Sequence, residues 1–121
     1  MAFINPCHRG LAYGDGYMQS DGAKGQVVKI AGSDLFAVND DPTVPSFGIL
    51  IKDYKAGDMP GIYCDGGVYE TDVFEGTINP GDDLKVSAGG KLTAGTIGAG
   101  EHVIARAISV GGGVLKFRLL V

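Results

Sequence analysis

The chain has 121 residues, the length of one domain, and 20% of them are charged, for a formal net charge of −4. A mildly acidic chain without a basic run is a poor ligand for duplex nucleic acid or an anionic membrane, because both require phosphate neutralisation. The 21 glycines stand far above the usual share of about 7% and follow no collagen-like period, so they mark tight turns between short elements.

No apolar run approaches the ~18 residues of a membrane-spanning helix. The opening Met-Ala-Phe-Ile-Asn-Pro has neither the charged nor the apolar region of a secretory signal. Synthesis in a reducing cytoplasm is the simplest reading of two cysteines, Cys7 and Cys64. A bridge between them stays open at this point.

Residues 1–25 carry no clean period. Six glycines and prolines interleave with Phe3, Ile4, Leu11, Tyr13, Tyr17 and Met18. The segment reads as an extended N-terminal arm lying on its own domain or on a neighbouring molecule, with a frayed terminus as the alternative. Its removal is expected to leave the remaining domain, 26–121, folded. Val28 and Ile30 then alternate with Lys29 as a first strand, and Ser33-Asp34 leads into a second at Leu35–Val38. The stretch from Asn39 to Ser46 is a loop. Phe47–Tyr54 reads as a strand with Phe47, Ile49 and Ile51 on one face and Leu50, Lys52 and Tyr54 on the other. Ile62–Cys64 is expected to turn at Asp65-Gly66-Gly67 into a hairpin with Val68–Glu75.

The stretch from Asn79 to Gly95 alternates turns and strands. Pro80-Gly81 opens it, Leu84 and Val86 share a face, Gly89-Gly90 reverses the chain, and Leu92 and Ala94 face one way on the return. Ala56-Gly57-Asp58 echoes Pro80-Gly81-Asp82 ahead of a strand pair. Glu101–Val110 reads as a strand apolar on both faces. Gly111–Gly113 turns it into Val114–Val121, where Leu115, Phe117, Leu119 and Val121 alternate with Lys116 and Arg118. No helix is visible. Short strands with turn signals every 8–12 residues predict an all-β fold, a small barrel or sandwich of antiparallel strands.

Motifs that carry chemistry are missing from the sequence. His8 and His102 stand apart, no Cys-x-x-Cys or paired histidines offer zinc a ligand set, and no serine sits in a nucleophile elbow. Tyr13–Tyr17 resembles a calcium loop only in its Gly-Asp-Gly, because the later oxygen ligands are absent. Acidic pairs such as Asp40-Asp41 and Asp82-Asp83 fall at turns, where aspartate bonds its own backbone. The expectation is a protein that is no enzyme and needs no cofactor or metal.

The order of motifs resembles the capsid decoration, or cement, proteins of tailed bacteriophages. The residues that carry it are Gly25-Gln26-Val27-Val28-Lys29, Phe47–Ile51, Gly67–Thr71, the cassette Pro80–Thr93, Val103–Ile108 and the final apolar strand, so it spans roughly 25–121. It implies a small β-barrel, a homotrimer on the capsid. Such a protein binds the major capsid protein on the outer surface of the expanded head and stabilises it. The virion is then its location, after synthesis in the host cytoplasm. Terminal arms of such proteins reach onto capsid subunits, which would make Phe3, Ile4, Tyr13 and Tyr17 contact residues. The alternative is a soluble β-barrel module binding carbohydrate or another ligand, which needs an aromatic platform. A small β-barrel hydrolase or isomerase is the weakest alternative.

Overall fold

The computed structural model describes residues 2–121. In chain order its strands are β1 (Ile4–Gly14), β2 (Tyr17–Met18), β3 (Val27–Gly32), β4 (Leu35–Val38), β5 (Gly48–Leu50) and β6 (Gly61–Thr71). They continue with β7 (Phe74–Glu75), β8 (Asp83–Ser87), β9 (Lys91–Thr93), β10 (Ala105–Gly111) and β11 (Val114–Leu119). The only helical turn among the described residues is a 3-10 turn at Ala88–Gly90. The all-β expectation holds.

The strands form one mixed sheet of eleven in the order β2-β4-β3-β5-β6-β11-β10-β8-β9-β7, with β1 added on β6. The β2–β4 and β7–β9 pairs are parallel and the others antiparallel. The hydrogen-bonded path stays open and includes two parallel pairs, where the sequence predicted a small barrel or sandwich of antiparallel strands. It nevertheless curls until its halves meet. Val27 of β3 shares one core with Leu84, Leu92, Phe117 and Ile104. Gln26 donates to the Gly89 carbonyl (2.9 Å), and the His102 N–H donates to the Pro42 carbonyl (2.9 Å). A smaller core on the other side of β3–β6 holds Met18, Val28, Phe36, Leu50 and Ile62.

Where one face is buried, the alternation in the sequence translates directly into packing. Leu115, Phe117 and Leu119 are buried while Arg118 is exposed. Leu84 and Val86 are buried and Lys85 is only half so. Three local readings change. The strand at Phe47–Tyr54 shrinks to β5, and Phe47 packs on the second core, away from Ile49. The strand at Glu101–Val110 starts at Ala105, and a bulge between Ala107 and Ser109 leaves Ile108 44% exposed.

The third change matters most. Asp65-Gly66-Gly67 does not reverse the chain; it kinks β6, which runs on from Gly61 to Thr71. All three residues have positive φ (59°, 79° and 99°), a region glycine enters without steric penalty. The bonds that complete the kink come from far away in sequence. The Tyr69 hydroxyl accepts from the Gly10 N–H and donates to the Gly66 carbonyl, both at 3.2 Å. The Gly66 N–H donates to the carbonyl of Val121 (3.1 Å). Because of the kink, one edge of β6 serves two partners, β5 at Ile62–Tyr63 and β11 at Val68–Thr71. Its other edge is taken along its whole length by β1.

Four turns repeat one design. In Ala23–Gln26, Lys55–Asp58, Asn79–Asp82 and Gly98–Glu101 the fourth N–H bonds the first carbonyl at 3.0–3.2 Å. The third residue is glycine at φ +87°, +89°, +89° and +77°, as a type II turn requires. The fourth side chain then accepts the first N–H, through Gln26, Asp58, Asp82 and Glu101 at 2.7, 2.8, 2.8 and 2.5 Å. The echo between Gly57-Asp58 and Gly81-Asp82 is thus a shared turn geometry.

Candidate functional site

The expected contact residues belong to β1 and its continuation, and the sheet separates them. Part of the segment read as an arm, Ile4–Gly14, is strand β1 and lies on the chain's own sheet. β1 pairs with β6 from Ile4 opposite Thr71 to Gly14 opposite Gly61, with bulges at Cys7 and Gly10. Ile4 is 3% exposed and part of the main core, so its side chain is unavailable to a partner. Phe3 is half-buried; its N–H donates to Asp72 (2.8 Å) and its carbonyl accepts from Thr71 (2.7 Å). Tyr13 lies about 30 Å further along the extended chain. It packs edge-on against Phe36 and Phe47, with ring centroids 5.7 and 5.2 Å away, and its hydroxyl donates to Asp34 (3.1 Å). Burial, then the Asp34 carboxylate, raises its pKa. Tyr17 alone of the four is largely exposed, at 60%.

What the sequence did not mark is the openness of β1 itself. Eight of its eleven residues are exposed, on both faces. Leu11 is 62% exposed, beside a shallow groove lined by Tyr13, Phe47, Cys64 and Val121. The signal available in sequence was the missing period of residues 4–14. A strand anchored by side chains only near its ends, at Ile4 and Tyr13, and held between them by backbone pairing has no reason to alternate.

The polar groups are organised for structure. Both cysteines are free thiols, which settles the pairing left open above. Cys7 sits at a bulge near the Pro6 end of β1, and Cys64 opposes Leu11. Burial followed by a neighbouring carboxylate, Glu70 for Cys7 and Asp65 for Cys64, raises both pKa values and keeps the thiols protonated. Among the described residues no three His, Cys, Asp or Glu side chains converge on a point. Lys85, mostly covered, bonds Glu101 (2.8 Å) and the Thr96 carbonyl (2.9 Å) and so ties the 94–104 connection to β8.

Three loop carboxyls are held below their ordinary pKa. For Asp21 the main cause is the Ala56 N–H, for Asp41 the Thr43 hydroxyl, and for Glu101 the hydrogen bond from Lys85. A carboxyl whose pKa is lowered by folding stabilises fully above its unfolded value, and that contribution is lost as pH falls through the folded one. The melting temperature should therefore stay level above about pH 5 and drop below it, with Glu101 leading, since its ordinary value is 4.5 against 3.8 for aspartate. Melts across the acid range of the parent and Glu101→Gln check this. The variant should lose the upper part of the decline, and a drop that begins well above pH 5 would overturn the assignment to these carboxyls.

The architecture defines an all-β protein built on one open, curled, mixed sheet. It is similar to a solved structure, the head fiber gp8.5 N base in bacteriophage phi29, with a TM-score of 0.62 at 14% identity over 90% of this chain and 92% of that one. The likeness establishes a shared fold. No family model and no curated protein matches the sequence.

Proposed function

We propose that the chain is a non-catalytic structural protein of a phage virion, which binds the major capsid protein on the outer surface of the head and stabilises the expanded shell. The observation that carries this reading is the shared fold, nearly end to end, with a protein described as a head fiber base. The motif order from Gly25 to the C-terminus, similar to that of capsid decoration proteins, supports it from the sequence side. A homotrimer on the shell would multiply individually weak contacts through effective concentration. Free thiols suit synthesis in a reducing host cytoplasm. The ligand-module alternative needs an aromatic platform, and Tyr17 is the sole largely exposed aromatic side chain among the described residues.

Quantitative mass spectrometry of purified particles of the encoding phage tests the reading. A copy number comparable to that of the major capsid protein is expected of a cement protein. A few copies per particle would point to a local attachment such as a fiber base. Absence from particles overturns the virion reading.

A further inference from the structure

The sheet repeats itself. Its path divides into β2-β4-β3-β5-β6 and β7-β9-β8-β10-β11, the same order of strands twice. A shift of 56 residues carries the turn glycine Gly25 onto Gly81 and the β3–β4 hairpin onto β8–β9. The register follows: Lys29 opposite Ala37 and Ile30 opposite Phe36 become Lys85 opposite Thr93 and Val86 opposite Leu92. In the parallel pairs, Met18 opposite Phe36 becomes Phe74 opposite Leu92. The Phe47 N–H donates to the Val28 carbonyl as the Ile104 N–H does to that of Leu84. The cross-strand row Val27–Ile49–Tyr63 corresponds to Asp83–Arg106–Arg118. Tyr13 stands opposite Ile62 as Tyr69 stands opposite Phe117. The first repeat thus ends, and the second begins, at the kink in β6.

Equivalent positions are not equally covered. The inner face of the second repeat, with Tyr69, Val86, Leu92, Ile104 and Phe117, is fully buried. The outer row of the first repeat closes it: Val27, Ile49 and Tyr63 share its core, and the Tyr63 ring lies 4.7 Å from that of Tyr69. The inner face of the first repeat holds the smaller core, and Tyr54 of the 51–60 connection covers part of it. The rest is open. Ile30 is 60% exposed where Val86 is 1%. Tyr13, Phe47 and Cys64 are half-buried where Tyr69, Ile104 and Leu119 are buried. Leu11, opposite Cys64, extends this opening into the groove beside Val121.

The second repeat shows what closes such a face, an apolar row presented by a neighbouring sheet. A second copy stacked head to tail cannot supply it. Its Val27 row is already buried, and its free outer row is Asp83, Arg106 and Arg118, whose charges would lose water against Tyr13 and Phe47. We propose that the open inner face of the first repeat, from Ile30 across Phe47 and Tyr13 to Leu11, docks an apolar sheet face of the shell protein. That face would present aliphatic and aromatic side chains as β3, β5 and β6 present Val27, Ile49 and Tyr63 to the second repeat. This deepens the head-protein reading and rests on it.

The test uses the full chain and particles prepared without it. Co-sedimentation measures binding, and thiol labelling read by peptide mass spectrometry measures cover. Ile30→Asp and Leu11→Asp should each weaken binding at least about tenfold, the effect of a charge placed in an apolar contact. Ile30→Val, which installs the residue of the second repeat, should bind like the parent, as should Ile108→Asp on β10. All four sites are exposed positions or conservative changes, so the variants should melt like the parent. Binding should slow the labelling of Cys64 about tenfold relative to Cys7. Undiminished binding by both Ile30→Asp and Leu11→Asp overturns the inference and leaves the head-protein reading standing. So does a bound chain whose Cys64 labels at the free rate. A free chain that sediments as a dimer with Cys64 protected assigns the face to a second copy and overturns it too. Failure of the parent to bind particles removes the head-protein reading and this inference with it.

Discussion

A chain lacking residues 1–24 should fail to fold cooperatively. The deletion takes Ile4 (3% exposed) from the main core and Met18 (1%) from the smaller one. Each such side chain stabilises by about 1.5–3 kcal/mol through burial alone. It also strips β1 from β6, leaving eleven residues of strand edge open and removing the Gly10 N–H from the Tyr69 hydroxyl. Small domains have about 5–15 kcal/mol in total, so little remains. Circular dichroism melting checks this. A truncated chain that melts within a few degrees of the parent would restore the reading of this segment as a separable arm. It follows that attachment to a shell should be dissected with single substitutions such as Leu11→Asp, since truncation confounds binding with folding.

Phe117→Ala should cost about 3–5 kcal/mol, the range for deleting a buried aromatic ring. Phe117 is fully buried at the middle of β11, between β6 and β10, and stacks on Tyr69 at 5.9 Å, which in turn stacks on Tyr63 at 4.7 Å. Tyr69→Phe separates packing from the kink. It keeps the ring and removes only the hydroxyl that bonds Gly10 and Gly66, for about 1–2 kcal/mol. Chemical denaturation of both variants measures the pair. Exchange in Tyr69→Phe should accelerate first at residues 8–10 and 65–67. A loss for Phe117→Ala below that for Tyr69→Phe would mean the core is not organised around β11.

These expectations mark what the sequence could reveal. Leu115, Phe117 and Leu119 announce a strand because one face is buried and the other wet. The Gly112-Gly113 turn joins β10 and β11 as its glycines indicate. The Asp65-Gly66-Gly67 signal was real at the level of backbone angle, since all three residues take positive φ. Whether such angles reverse a chain or bulge it depends on partners elsewhere, here Gly10, Tyr69 and Val121, which local pattern does not carry. The candidate surface was legible only in fragments. Residues 4–14 lack a period, and only the register with β6 shows which edge of that strand is left open.

The shared strand β6 also dictates an order of events during synthesis. Its partner β1 is made before the other ten strands described, while its partner along Val68–Thr71, β11, is made after them. Local hairpins such as β3–β4 have everything they need early. The middle of the sheet does not: until the final strand clears the exit tunnel, half of one β6 edge stays bare and Phe117 is missing from the core. The nascent chain therefore carries an open, apolar template until β11 has been made, and the commitment step of folding should wait for β11.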